Sequence, residues 1–92
     1  MTNTILIVED EPDIRKTLEY NLNKDNFQTL SAGNLSDSED LITANNVSLI
    51  LLDLMLPDGS GLDFCRKIKS DKSLKDIPII ILTAKDDEVD KV

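Results

Sequence analysis

Glu9 and Asp10 directly follow the apolar run Thr4 to Val8, and Asp53 directly follows a second run, Ser48 to Leu52. A third run, Pro78 to Leu82, ends in Thr83. Carboxylates are hard oxygen ligands, and several in one pocket repel. Two of them about 5 Å apart cost roughly 3 kcal/mol at an effective dielectric near 20. A cation relieves that cost. The chain has no His and a single Cys, Cys65, so a zinc ligand set is missing. Oxygen ligation points to Mg²⁺, Mn²⁺ or Ca²⁺, with Mg²⁺ the expectation in a cytoplasm. Any one acid after a strand reads most simply as a solvated loop residue. That reading weakens when three acids fall at the ends of two neighbouring strands.

Such a pocket requires elements that bring the run ends together. The short continuous runs suit strands buried on both faces of a parallel sheet. Between them the periodicity turns helical. Glu11-Pro12 opens a helix, with proline in the first turn, and Ile14, Leu18 and Leu22 form its apolar stripe. Phe27 to Leu30 is expected as a second strand, with Phe27 in the core. A second helix follows Gly33-Asn34, with Ser36 and Glu39 spaced as a capping box. Leu35, Leu41, Ile42 and Ala44 line its inner face, and Asn45-Asn46 ends it. Pro57-Asp58-Gly59 is turn chemistry. A third helix over Gly61 to Ser70 is expected to bury Leu62, Cys65 and Ile68, with Phe64 beside them. A polar linker, Asp71 to Asp76, leads to the fourth strand, where Pro78 takes the first position. Ala84 to Val92 begins another helical pattern, with Asp86-Asp87-Glu88 in its acidic first turn.

Strands alternating with helices imply an α/β fold with a doubly wound parallel sheet. In such sheets, sites form at the carboxyl ends of the strands, where the strand order reverses. The 92 residues leave room for one domain, and about a third are Ile, Leu, Val or Phe, enough for a single core. Eighteen acidic against ten basic residues give a net charge of −8. That balance argues against direct nucleic-acid binding and against an anionic membrane surface. No apolar run approaches the roughly 20 residues of a membrane-spanning helix. The first ten residues lack the pattern of a signal peptide, and one cysteine forms no internal disulfide, so a cytoplasmic setting is expected.

Three segments together resemble the receiver domain of two-component response regulators. They are Ile5-Leu6-Ile7-Val8-Glu9-Asp10-Glu11, Leu51-Leu52-Asp53-Leu54-Met55-Leu56-Pro57-Asp58-Gly59-Ser60-Gly61 and Pro78-Ile79-Ile80-Ile81-Leu82-Thr83-Ala84-Lys85. The last two are most similar to the OmpR/PhoB-type transcriptional regulators. The resemblance implies a flavodoxin-like sheet of order 2-1-3-4, with a fifth strand and last helix beyond the chain's end. It implies that Asp53 accepts a phosphoryl group from a sensor histidine kinase. Mg²⁺ would be held by Asp10, Glu9, Asp53 and the backbone carbonyl of Met55, and Thr83 would be the switch hydroxyl. Pro57 and Gly59 would shape the loop after Asp53, and Gly61 would start the third helix. The family's fifth strand carries a phosphate-contacting lysine. Lys85 follows the fourth strand and is not its equivalent. The chain is therefore expected to be one receiver domain over residues 1–92, truncated at its C-terminal side and without an output domain. Self-association through the fourth-strand edge or the helix-four region is a further expectation.

Three other functions share parts of this pattern. An Mg²⁺-dependent aspartyl phosphatase needs a second acid two residues after its nucleophile, where this chain has Met55. An FMN carrier on the same fold needs an uncharged phosphate loop after the first strand, and Glu9-Asp10-Glu11 would repel the phosphate. A receiver kept only as a non-phosphorylated interaction module is the third. The Asp10, Asp53 and Thr83 set argues against it, and the missing lysine argues for it.

Overall fold

The computed structural model describes residues 3–82. Their elements are β1 (Thr4–Val8), α1 (Pro12–Lys24), β2 (Gln28–Ala32), α2 (Leu35–Ala44) and β3 (Leu49–Asp53). A short ribbon follows, β4 (Met55–Leu56) and β5 (Gly59–Ser60), then α3 (Gly61–Ser70) and β6 (Ile79–Leu82). The main sheet is parallel, in the order β2-β1-β3-β6. This is the flavodoxin-like arrangement expected from the sequence, β6 being the fourth strand of that reading.

Register fixes where the strands end. Val8 lies opposite both Ala32 and Leu52, and Asp53 lies opposite Leu82. Residues alternate across a sheet, so every second one faces the same layer. Leu6, Val8, Ile50 and Leu52 face α2 and α3, where they close a core with Ile42, Phe64 and Ile68. Ile5 and Ile7 point the other way and are also buried. Both faces of β1 are covered, which is why its sequence is apolar without a break.

Several local expectations change. The second strand starts at Gln28 rather than Phe27, because Asn26 and Phe27 are used to end α1. Their N–H groups donate to Asn23 and Leu22 carbonyls at 3.0 and 3.1 Å, and Asn26 takes a left-handed φ of 70°. Phe27 is half-buried rather than a core residue. Ile14 is 41 % exposed, and α1 has no fully buried residue. A strict four-residue spacing drifts about 40° per step around a 3.6-residue helix, so one end of the Ile14-Leu18-Leu22 stripe leaves the contact face. Ala44 is exposed as well, in the last position of α2. Pro78 precedes β6 rather than opening it, though its carbonyl accepts from Ile50 N–H at 3.0 Å.

The α3 helix shows the same geometry more sharply. Phe64 and Ile68, four apart, are 2 % exposed, while Leu62 is 52 % exposed. Two residues along a helix turn the side chain by about 200°, so Leu62 and Phe64 face opposite sides. Cys65 is half-buried, and its burial pushes the thiol pKa up, with Lys69 opposing. Phe64→Ala is expected to cost about 3–5 kcal/mol. Leu62→Ala should stay within about 0.5 kcal/mol. Urea unfolding midpoints of the two variants measure the difference, and equal losses would contradict this packing.

Candidate functional site

Glu9 and Asp53 converge because their strands end in step. Val8 and Leu52 are partners, so Glu9, just past β1, and Asp53, the last residue of β3, lie at the same level and on the same side of the sheet. The Glu9 N–H extends the ladder by one bond, donating to the Ala32 carbonyl at 3.0 Å. One carboxylate oxygen from each of Glu9, Asp10 and Asp53 lies within 4.8 Å of the others. Glu9 and Asp53 are 2 % and 1 % exposed, while Asp10 is exposed. Three converging oxygens, two of them buried, fit a hard divalent cation.

The surroundings hold this cluster in place. The Glu11 N–H donates to Glu9 Oε2 at 3.1 Å, which fixes the turn into α1. Arg15, on the first turns of α1, donates from Nη1 to the Glu9 backbone carbonyl at 2.8 Å. It ties α1 to the backbone of the turn that carries Glu9. Gly61 allows α3 to start against the backbone just after Asp53. Its N–H donates to the Leu54 carbonyl at 3.1 Å. A Cβ there would lie 2.8 Å from Leu54 Cα and 3.0 Å from the Asp53 carbonyl oxygen.

The turn expected at Pro57-Asp58-Gly59 is the tip of the β4–β5 ribbon, which pairs Met55 with Ser60 and Leu56 with Gly59. Asp58 leaves that tip to cap α2. Its Oδ1 accepts from Leu35 N–H at 2.8 Å and its Oδ2 from Ser36 N–H at 3.1 Å. The Leu35 bond is the main reason its carboxyl is held below the usual range. Desolvation opposes the shift, and the Ser36 and Asp58 amides add to it. The capping box expected from Ser36 and Glu39 is not used. Asn34 is the N-cap, two residues earlier, accepting from Asp37 N–H at 2.8 Å. Asp58 from outside the helix takes the two donors that a local cap leaves over.

The structure therefore brings Glu9, Asp10 and Asp53 together as the sequence implied, and starts β4 at Met55, two residues beyond Asp53. Thr83, Lys85 and the helical pattern of 84–92 lie outside the described residues. Arg15 and Asp58 escaped the sequence reading. Arg15 was readable in principle as a cation one turn into the helix after the acids. Asp58 was not, since its partners are 22 and 23 residues away. Among the described residues, no helix is long and apolar enough to cross a membrane.

Residues 5–92 match the family model of the response regulator receiver domain. Solved structures agree. The non-phosphorylated HemR receiver domain from Leptospira biflexa is 37% identical with a TM-score of 0.82, over 91% of this chain and 66% of that one. The TrrA response regulator from Thermotoga maritima, in complex with Mg²⁺-BeF, is 35% identical with a TM-score of 0.82, over 90% and 70%. The signal receiver domain of a signal transduction histidine kinase from Syntrophus aciditrophicus is 32% identical with a TM-score of 0.84, over 89% and 62%. The chain thus spans about two thirds of the length of these relatives. Fold and sequence agree over nearly the whole chain, and it belongs to the response regulator receiver domain family.

Proposed function

We propose that this receiver domain accepts a phosphoryl group on Asp53 from a sensor histidine kinase and answers with a change of surface. The observation that carries the reading is the convergence of Glu9, Asp10 and Asp53 oxygens within 4.8 Å at the carboxyl ends of β1 and β3. Glu9, Asp10, Asp53 and the Met55 carbonyl are the residues that would hold Mg²⁺. When bound, the ion supplies positive charge against the carboxylates and the phosphoryl oxygens. The Mg²⁺-BeF complex of the Thermotoga relative supports the same donor chemistry here.

Asp53 does the covalent work. One carboxylate oxygen forms a bond to phosphorus as the bond from phosphorus to the donor's imidazole nitrogen breaks. The electron pair stays on that nitrogen. The product is an acyl phosphate on Asp53. Burial of Asp53 limits the access of bulk water to the acyl phosphate, and Gly61 leaves the room that the Asp53–Leu54 backbone occupies. Thr83, by family resemblance, is the hydroxyl that answers the phosphoryl group. The domain is a phosphoacceptor in this reading, not an enzyme with its own small-molecule product. The likeness of the segments Leu51 to Gly61 and Pro78 to Lys85 to OmpR/PhoB-type regulators makes a cytoplasmic transcriptional regulator the proposed parent, with DNA contacts left to another domain.

Intact mass after incubation with acetyl phosphate tests this. One phosphoryl group is expected with Mg²⁺, and none without metal or in Asp53→Asn. A folded wild type that gains no phosphoryl group would replace this reading with a non-phosphorylated interaction module.

A further inference from the structure

The ribbon that follows Asp53 is too short to hold itself. Its strands have two residues each, and an isolated two-stranded ribbon is marginal in water even when longer. Yet the Met55 carbonyl at its base must keep a fixed position if it is to serve a cation. Three attachments restrain the ribbon. Gly61 N–H closes its base on Leu54, Leu56 packs against the core, and Asp58 reaches from the tip to α2. Among the hydrogen bonds of the described residues, the Asp58 pair ties the tip to an element outside the ribbon and α3.

We infer that Asp58 is a positioning residue for the Mg²⁺ site, holding the ribbon that carries Met55 against the N-terminus of α2. The inference rests on the reading of Glu9, Asp10, Asp53 and Met55 as that site. Asp58 makes two charge-assisted bonds at once, Oδ1 to Leu35 N–H and Oδ2 to Ser36 N–H. Such paired bonds fix direction as well as distance. The positive end of the α2 dipole adds to them. The approach is close on the next residue too, since a Cβ at Gly59 would lie 3.0 Å from Leu35 Cδ1. Asp58 thus locks the ribbon tip against a helix that packs into the core through Ile42.

The α2 terminus supplies its own control. Asn34 caps the same helix through Asp37 N–H, but it does not belong to the ribbon. Removing either cap weakens α2 by a similar amount. Of the two, Asp58 alone also tethers the ribbon tip. The experiment compares wild type, Asp58→Ala, Asp58→Asn and Asn34→Ala, reading Mg²⁺ affinity from the rise in melting temperature across an Mg²⁺ titration. Phosphorylation rate with acetyl phosphate is read beside it.

Asp58→Ala is expected to weaken Mg²⁺ binding about tenfold or more, in the range seen for residues that orient metal ligands. Asp58→Asn keeps one acceptor and should recover part of the affinity. Asn34→Ala should melt lower in the absence of metal yet bind Mg²⁺ within about twofold of wild type. Wild-type affinity in both Asp58 variants would overturn the inference alone. Equal losses in Asp58→Ala and Asn34→Ala would also overturn it, by showing that the effect runs through α2 stability. A wild type with no Mg²⁺ response at all would overturn the site reading, and the inference with it.

Discussion

Mg²⁺ at about a hundred times its dissociation constant is expected to stabilise the domain by about 2.7 kcal/mol. For a domain of this size that is a rise of about 10–20 °C in melting temperature. Asp10→Asn should abolish most of the rise. Three carboxylate oxygens lie within 4.8 Å of one another, two of them on buried side chains. A cation turns their repulsion into attraction. Asp10 is exposed, so replacing it removes a ligand and a negative charge without opening the core. Metal-free Asp10→Asn should therefore melt at or slightly above metal-free wild type. The variant gains in one condition and loses in the other, which a general packing defect does not produce. Thermal melts with and without Mg²⁺ decide it. An Asp10→Asn protein with the full Mg²⁺ response would contradict the proposed ligand set.

Gly61→Ala should be damaging although helix propensity favours alanine there. The new Cβ would meet Leu54 Cα at 2.8 Å and the Asp53 carbonyl oxygen at 3.0 Å. Both are backbone atoms, so no rotamer change relieves the clash. The start of α3 and the Asp53–Leu54 segment must move apart. Overpacking of this kind costs about 1–3 kcal/mol. A misplacement near 1 Å at a reacting group costs about a hundredfold in rate. Gly33→Ala is the contrast. Its Cβ would approach Arg15 Nη1 at 2.9 Å, the far end of a flexible side chain. That variant pushes Arg15 Nη1 off the Glu9 carbonyl without moving backbone, so it should lose less stability than Gly61→Ala. Urea midpoints and phosphorylation rates of both variants test the difference. A Gly61→Ala protein with wild-type rate and stability would show that α3 starts farther from Asp53.

β1, β3 and β6 were legible because each is built on an unbroken apolar run, whereas β2, Gln28–Ala32, is mostly polar and its start was misplaced; the strand order followed from the family resemblance. The three acids were legible for the same reason, since each directly follows a run. What escaped was non-local. The Asp58 cap joins residues 22 and 23 positions apart, and no helix-start pattern shows it. The Ser36–Glu39 spacing suggested a cap that the chain does not use, because Asn34 accepts from Asp37 first. Leu62 and Phe27 are apolar, but hydrophobicity alone does not say which side of a helix or turn meets the sheet. Leu62 faces outward because Phe64 and Ile68 set the orientation of α3.

The central claim is that Asp53 itself carries the phosphoryl group. Reducing the acetyl phosphate-treated protein with borohydride converts an acyl phosphate carbon to an alcohol, and peptide mapping then reads the modified position. The account predicts reduction at residue 53 alone, and only when Mg²⁺ was present. Reduction at Glu9 or Asp10, or at 53 without metal, would contradict it.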